Sequence, residues 1–349
     1  MRWPALLIAS LTIVSCEQAD SSSLSAAGSS QRAVYNGNGG NISSNANGFL
    51  TQAPEFFYPE NSNIYLEREV QVPSNILPGE FHIFHEVLRA NGQGEFNLKI
   101  AEAMKAGDTI FTPPTTEQQI TYQDQQRYMV QYRDIHLGLQ HGLSANFRWI
   151  EDPALQQVAG VDCLHYTVES VHNLGDAEFW VDANSGLLLA YTMYDNAGDI
   201  TLKLETMLVD TAPDNSNIQW SAALVDEEVY DPNSNTITLD YDVLAPNYLP
   251  PGFYQRNARV LDSFGMFQGM GNMHVAMFTD GIHQLFVAQH SFVEAGPNAG
   301  QVPTTVTLAR FSESGGIQMV EGDPPFKKVY VVGQMPRDEI QTVFSSLFN

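Results

Sequence analysis

Histidines are the residues of this chain with the clearest capacity for chemistry, since nine are present and some stand close together. His82 and His85 are three positions apart, and His136 and His141 are five positions apart. Two imidazoles can bind one metal ion only when both rings reach it from the same side. The surrounding pattern predicts strands, on which odd spacings turn the rings to opposite faces. We therefore predict no metal site and no cofactor.

Catalytic motifs are missing from the sequence. It contains no Gly-x-Ser-x-Gly turn, no His-Glu-x-x-His pair and no phosphate-binding glycine loop between a strand and a helix. The glycine-rich stretch GMFQGMGNM at 265–273 has no helical pattern after it and is predicted to be a loop. We predict that the protein is not an enzyme, with a hydrolase as the weakest alternative.

Large apolar side chains form the remaining candidate site. The stretch GLLLAYTMY at 186–194 is apolar on both sides of a predicted strand, although an antiparallel strand normally has one face in water. A second layer must therefore cover it. One interpretation is an apolar groove for an acyl chain or for a partner's amphipathic segment. The alternative is that these side chains pack on each other or on a second domain. The groove candidates are Trp149, Trp180, Leu188, Tyr191 and Met193.

The acidic balance of the chain limits its partners. Forty Asp and Glu residues against 16 Lys and Arg give a net charge of −24. A field of this sign repels phosphate backbones, so we predict no nucleic-acid binding. It attracts a basic protein or divalent cations; an acidic surface suited to a salty habitat is an equal alternative.

The first sixteen residues, MRWPALLIASLTIVSC, predict an export signal with a lipid attachment site. An apolar run too short to span a membrane follows one basic residue and ends at Cys16. This ending resembles a bacterial lipobox, in which the cysteine is acylated and becomes the new N-terminus. Glu17 directly after it favours the outer over the inner membrane. The other cysteine, Cys163, is predicted to be a small buried hydrophobe rather than a reactive thiol.

The remaining chain predicts an α+β protein of two domains. Residues 1–16 are the signal peptide and lipobox, and residues 17–54, rich in Ser, Asn and Gly, are a flexible tether. Residues 55–212 alternate as strands, including EFNLKIAEAM at 95–104 and QQRYMVQYRDIHLGL at 125–139. LKIAEAMKA at 98–106, which overlaps the first of these, is also the one helix-like stretch. Residues 213–349 predict a small antiparallel sheet with a C-terminal helix after Pro336.

Several stretches resemble the RseB/MucB proteins, periplasmic regulators of the sigma-E envelope stress response. QVAGVDCLHYTVES, starting at residue 157, and FWVDANSGLLLAYTMYDNAGDITLKLE, starting at 179, resemble the end of that family's first domain. YLPPGF at 248–253, FTDGIHQLFVAQHS at 278–291 and VYVVGQMPRDEIQTVFSSL at 329–347 resemble segments of its second domain, in the same order. Val161 stands where the family has an arginine.

The resemblance implies a fold, a partner and a ligand. The first domain would be a curved antiparallel half-barrel like the lipoprotein carriers LolA and LolB, and the second a smaller α+β domain. The partner would be the periplasmic domain of an anti-sigma factor, and the ligand an acyl chain or lipopolysaccharide. The expected location is the periplasm, with a lipid anchor. The alternative function is a lipid or lipoprotein carrier of the LolA/LolB type.

Overall fold

The structure is a computed structural model, and it describes residues 50, 52–74, 76–224, 239, 241–261, 273–291, 307–314, 317–323 and 327–348. Cys16, the predicted signal peptide and nearly all of the predicted tether lie outside the described residues, as does most of the glycine-rich stretch 265–273. In the part of the chain that the structure describes, no helix is long and apolar enough to cross a membrane.

Antiparallel pairing builds a nine-stranded sheet from the first part of the chain. Its order is β4-β5-β6-β7-β8-β1-β2-β3-β9, so the two halves of the sheet meet where β8 pairs with β1. The sheet is open, with β4 at one edge and the two-residue β9 at the other. Its strands are β1 (Asn63–Pro73), β2 (Phe81–Asn91), β3 (Glu95–Met104), β4 (Phe147–Val158), β5 (Val161–Ser170), β6 (Ala177–Asp182), β7 (Leu188–Tyr194), β8 (Ile200–Asp210) and β9 (Ala222–Ala223).

A six-stranded antiparallel sheet follows, with the order β10-β11-β12-β15-β14-β13. Its strands are β10 (Tyr254–Leu261), β11 (Met273–Thr279), β12 (Gln284–Ser291), β13 (Thr307–Ser314), β14 (Ile317–Asp323) and β15 (Lys327–Gly333). The fold is α+β, with a large curved sheet, a smaller sheet and a C-terminal helix, as the sequence predicts. The chain between 213 and 224 still contacts the first sheet, because Asn215 donates to the carbonyl oxygen of Ala90. The boundary at 212 remains a prediction.

Two helices of the first part of the chain lie where the sequence did not place them. The predicted strand at 125–139 is wrong: α1 (Thr116–Tyr128) continues into a π-helical turn at Met129–Arg133. A capping box starts α1, since the side chains of Thr115 and Gln118 each accept from the other's backbone N–H. A further helix, α2 (Gln140–Asn146), directly precedes β4.

The strand predicted at 95–104 is confirmed, and the helix-like interpretation of 98–106 is wrong. Its residues form most of β3, in which Phe96, Leu98 and Ile100 are buried and alternate with more exposed residues. Pairing with β2 along eight residue positions outweighs the helical propensity of its alanines. Strand pairing therefore outweighs the local helical propensity of this stretch.

The apolar strand β7 is buried on both faces for different reasons. Leu189, Tyr191 and Met193 belong to the core of the nine-stranded sheet and are each 1% exposed. We call the side of the sheet on which Tyr191 lies the covered face, and the other the open face. On the open face, the small side chains of Ala190 and Thr192 lie between the larger cross-strand neighbours on β6 and β8, which include Trp180 and Lys203. Small residues beside larger ones are thus hidden without a second layer.

The edge strand β4 is interrupted along its length. Pairing with β5 shifts between Asp152 and Gln156, so that residues 153–155 bulge out of the ladder. Pro153, which lacks an N–H donor, lies in this bulge.

The C-terminal helix α3 (Arg337–Ser346) confirms the predicted amphipathic segment. Pro336 is its N-cap, and Asp338 and Glu339 lie in its first turn. Ile340, Val343 and Phe344 are buried against the six-stranded sheet, whereas Phe348 is 42% exposed. Helix and sheet approach closely at Gly322 of β14.

We predict that Gly322→Ala destabilises the protein by about 1–3 kcal/mol, because overpacking a core is unfavourable. A Cβ at this position would stand 2.4 Å from Cζ of the buried ring of Phe344. Urea denaturation followed by circular dichroism measures the change. Gly142→Ala in α2 is the matched control, since a Cβ there meets nothing within 4 Å. Equal stability of the two variants would contradict the packing.

Candidate functional site

Four charged side chains meet inside the protein, between the covered face and the turn after α1. Arg68 on β1 binds Asp134 (Nη1–Oδ2, 2.7 Å) and Glu86 on β2 (Nη2–Oε2, 2.9 Å). Arg133 binds the same two carboxylates, with 2.5 Å from Nη1 to Glu86 Oε1 and 2.8 Å from Nη2 to Asp134 Oδ1. All four are at most 9% exposed. Two positive and two negative charges therefore balance within one buried group, which we call the ion network.

The ion network favours the charged form of Asp134. Burial alone would raise the pKa of Asp134, but Arg68 and Arg133 hold it below its ordinary value. Tyr122 of α1 adds a hydrogen bond, because its hydroxyl donates to Glu86 Oε1 at 3.0 Å. Helix α1 and the π-helical turn are thus tied to β1 and β2 by charge-assisted hydrogen bonds.

An extended segment, residues 52–61, crosses the covered face before β1 begins. We call it the strap. Phe57 pairs with Leu187 as an isolated parallel bridge: the Phe57 N–H donates to Gly186 O at 2.7 Å, and the Leu188 N–H donates to Phe57 O at 2.9 Å. Near the start of the strap, the Ala53 N–H donates to Ser144 Oγ at 3.2 Å. The strap is therefore attached by one main-chain bridge and by hydrogen bonds between its main chain and side chains of α2.

The ring of Phe56 in the strap fills an aromatic slot, which we define as Trp149, Tyr166 and Phe179. The Phe56 ring centroid lies 6.0 Å from Trp149, 6.0 Å from Tyr166 and 5.7 Å from Phe179. Trp149 and Phe179 also stack on each other at 5.7 Å. These distances are typical of favourable aromatic pairs. The slot is an apolar site that the chain's own strap occupies in this structure.

A small cavity of about 20 Å³ separates the strap from the ion network. It has room for about one water molecule. Three buried polar atoms of its lining residues lack a hydrogen-bond partner: Glu60 Oε1, Arg68 Nε and Thr206 Oγ1. Glu60 Oε1 lies 3.1 Å from His136 Nε2, which is also 2.8 Å from Val130 O. Burial raises the pKa of Glu60, and the neighbouring His136 opposes this only in part.

The structure separates the predicted groove residues into two groups. Trp149, Leu188, Tyr191 and Met193 are buried in one core on the covered face. Tyr191 and Leu188 also line the small cavity. Trp180 lies on the open face, where it stacks on His165 at 4.7 Å and donates from Nε1 to Gln156 Oε1. A groove on the covered face can therefore include four of the five, and it remains a prediction.

Histidines and cysteine take structural positions. His82 and His85 lie on β2, and the His85 ring bridges Glu102 (2.8 Å) and Glu69 (3.1 Å). His136 and His141 are not on a strand, contrary to the prediction. Within the described ranges, no group of three or more His, Cys, Asp or Glu side chains is arranged to hold a metal ion.

Cys163 is buried, and burial raises its pKa to about 11, so the thiol is protonated at neutral pH.

The two sheets meet at a junction centred on Asn146, the last residue of α2. Its side-chain amide donates to Gly252 O at 3.2 Å and to Asp280 O at 2.9 Å. The Gly138 N–H donates to Gly281 O at 3.0 Å, and the Leu139 N–H donates to the Tyr254 hydroxyl at 3.2 Å. Main-chain groups on each side of the junction thus form hydrogen bonds with groups on the other side.

A tight turn between β11 and β12 shapes the other side of the junction. Asp280 Oδ1 accepts from the N–H groups of Ile282 and His283, and Oδ2 lies 2.8 Å from His283 Nδ1. Gly281 has a φ of +112°, and a Cβ there would stand 2.5 Å from Leu143 Cδ2. Glycine is therefore required both by the backbone conformation and by the close approach of α2.

Sequence reasoning missed Arg68, Glu86, Phe56 and Asn146. A signal for the first two was present: Arg68 is in phase with the buried Leu66 and Val70, and Glu86 alternates in step with apolar residues of the next predicted strand. Opposite charges at core positions of paired strands indicate a buried ion pair. Nothing local distinguishes Phe56 or Asn146, because their partners are distant in the sequence.

We predict that Arg68→Met destabilises the protein by about 3–5 kcal/mol, because it leaves buried carboxylates without their counter-ion. Lys203→Met is the matched control. It removes a 2.9 Å pair with Glu205 in which the side chains are 31% and 46% exposed, and it should cost about 0–1 kcal/mol. Chemical denaturation of both variants at pH 7 measures the difference. A loss at Arg68 no larger than at Lys203 would contradict the ion network.

Comparisons with known proteins gave matches among solved structures. No family model and no curated protein matches the chain. The crystal structure of MucB in complex with MucA(peri) is 14% identical with a TM-score of 0.46, over 82% of this chain and 92% of that one. The MucA/MucB complex of Pseudomonas aeruginosa is 13% identical with a TM-score of 0.44, over 81% and 93%. A crystal structure of MucB is 13% identical with a TM-score of 0.44, over 82% and 93%. These three solved structures contain MucB, a protein of the family that the sequence motifs resemble.

Proposed function

We propose that this chain is a non-catalytic periplasmic regulator that binds the periplasmic segment of an anti-sigma factor in envelope stress signalling. The proposed binding surface is the junction of the two sheets. The proposed organisation is a lipobox at 1–16, a tether at 17–54 and domains at 55–212 and 213–349. The partner and the pathway come from the resemblance of the sequence motifs to RseB/MucB proteins. The surface is argued from the contacts of this chain.

One observation carries the proposal: stretches that resemble the family hold the junction together. Gly252 belongs to YLPPGF, and Asp280 and Gly281 belong to FTDGIHQLFVAQHS. The first two accept hydrogen bonds from the Asn146 amide, and Gly281 O accepts from the Gly138 N–H. These motifs therefore set the position of one sheet relative to the other. A partner that contacts both sheets needs this fixed geometry, since an ordered surface costs less entropy on binding.

Exposed apolar side chains flank the junction. Leu139, whose N–H binds Tyr254, is 60% exposed. Val171, whose N–H donates to Asn146 O at 2.9 Å, is 47% exposed. Apolar side chains next to polar main-chain contacts are typical anchors of a protein interface. The acidic chain, with its net charge of −24, would also speed association with a basic segment.

We expect Leu139→Asp to weaken binding of the anti-sigma factor's periplasmic domain at least tenfold, because it places a charge at an apolar anchor. Isothermal titration calorimetry with the domain encoded beside the cognate sigma factor gene measures the affinity. Leu155→Asp is the control: Leu155 is 54% exposed and lies in the β4 bulge, away from the junction. No binding by the unchanged chain would refute the proposed partner, and equal binding by both variants would refute the proposed surface.

We also propose that Cys16 carries the lipid that anchors the protein, with the outer membrane favoured over the inner. Cys16→Ser should move the protein from the membrane fraction to the soluble periplasmic fraction and abolish incorporation of labelled palmitate, because the lipobox thiol that would be acylated is lost. Sucrose-gradient fractionation distinguishes the two membranes. Unchanged membrane association of the Cys16→Ser variant would contradict the anchor.

The alternative proposal is a lipid or lipoprotein carrier of the LolA/LolB type, with an acyl chain or lipopolysaccharide in the groove of Trp149, Leu188, Tyr191 and Met193. The apolar core on the covered face favours it. Mass spectrometry of lipids that co-purify with the protein separates the two functions. A stoichiometric acyl ligand supports the carrier, and a lipid-free protein that binds the anti-sigma domain supports the regulator.

A further inference from the structure

The strap covers the aromatic slot, but its attachment to the sheet differs from that of the core strands. Phe56 is only partly buried, although its ring contacts three buried aromatic rings of the slot. The main-chain pairing of the strap with β7 is a single bridge at Phe57, whereas β1, which follows it, is paired on both sides. Segments with few main-chain hydrogen bonds open locally before the rest of a protein unfolds. The strap therefore has the contacts of a bound ligand more than those of a sheet strand.

A buried carboxylate makes the seated strap less favourable. Glu60 lies in the short 3-10 helix Pro59–Asn61 at the end of the strap and is 2% exposed, with Oε1 lacking a hydrogen-bond partner. The charged groups around it are His136, Asp134 and Arg68, of which only His136 lies in ion-pair range. A buried carboxylate whose one ion-pair contact is His136 Nε2 at 3.1 Å has lost most of its hydration, and this hydration would return if the strap left.

The site beneath the strap matches a peptide better than a hydrocarbon. If the strap left, Gly186 O, the Leu188 N–H and the Leu137 N–H would lose their partners, which are now the Phe57 backbone and the Tyr58 hydroxyl. The Gln140 side-chain amide would likewise lose Ala53 O. Gly186 and Leu188 are buried, so an acyl chain in the slot would leave their main-chain groups unpaired, which is unfavourable. An extended main chain can pair with them again while its side chain fills the slot.

We infer that the strap is a displaceable internal ligand, and that the aromatic slot beneath it takes an extended peptide segment of a partner protein with an aromatic or large aliphatic side chain. This deepens the proposed function, on which it rests for the partner's identity. Because the strap leads into the tether and Cys16, the segment that covers the slot is also the segment nearest to the proposed anchor.

The first test measures opening without any partner. Hydrogen exchange of the full chain at pH 7, read by mass spectrometry, should show strap amides exchanging at least tenfold faster than those at the centre of β1. Glu60→Gln should slow hydrogen exchange of the strap's backbone amides, because the glutamine side chain is neutral and the substitution removes the buried charge. Strap amides as slow as those of β1 would overturn the inference, since the strap would then be a permanent part of the fold.

The second test measures exchange of the occupant, with a fluorescein-labelled peptide of residues 50–62, LTQAPEFFYPENS, as the probe. Phe56→Ala in the chain weakens the internal competitor, so it should bind the peptide at least tenfold more tightly than the unchanged chain. Glu55→Ala is the matched control, since Glu55 is exposed in the same strap. A fluorescent fatty acid is the rival probe. If it binds the Phe56→Ala chain and the peptide does not, the peptide assignment is wrong.

A locked variant separates this inference from the proposed function. Phe57→Cys with Leu187→Cys, in a Cys16→Ser chain, joins two residues that face each other in the bridge. The same protein with the disulfide reduced is the control for folding. The oxidised form should lose binding of the labelled peptide and of the anti-sigma domain, and the reduced form should retain both. If the oxidised form still binds the anti-sigma domain, the proposed function stands and the displaceable strap is refuted.

Discussion

The ion network is the constraint on which the rest of the first sheet's architecture depends. Two arginines and two carboxylates cannot be buried singly, because each alone would lose its hydration without compensation. They are buried together because Arg68 and Glu86 face the same side of neighbouring strands and the π-helical turn brings Arg133 and Asp134 to them. The network therefore determines where the helical segment after β3 must lie. The strap, the small cavity and α2 are arranged around that segment.

The segment that carries Arg133 and Asp134 also leads into the contacts between the two sheets. The chain between the π-helical turn and β4 carries His136 and Gly138, and both contact the second sheet or its flanking turns: Arg256 Nη1 donates to His136 O at 3.2 Å, and Gly138 pairs with Gly281. Tyr132, inside the turn, packs edge-on against Phe286 at 5.9 Å. A single stretch thus connects the buried charges on one side with the second sheet on the other.

Much of the fold was predictable from the sequence, and the exceptions have physical causes. The β-rich pattern, the C-terminal helix at Pro336 and the double burial of β7 follow from periodicity. Helix α1 was missed because its glutamines give no apolar stripe, and its last turn together with the π-helical turn was read as a strand because Tyr128, Val130 and Tyr132 alternate. The capping residues Thr115 and Gln118 were the available signal. Part of β3 was read as helical because pairing overrides the propensity of its alanines. Of the site, Trp149 and Tyr191 could be found as large apolar residues on predicted strands, but Phe56 could not, since its role depends on a path that only the tertiary structure shows.

The bulge in β4 has a consequence for a protein that is crowded among copies of itself. The edge strand of an open sheet can pair with another strand that has unpaired N–H and C=O groups. Repeated pairing of this kind between molecules produces long fibres. Here that strand is kinked at residues 153–155 and carries a proline where a donor would be needed. Molecules held at high density on a surface can therefore stand side by side without polymerising through this rim.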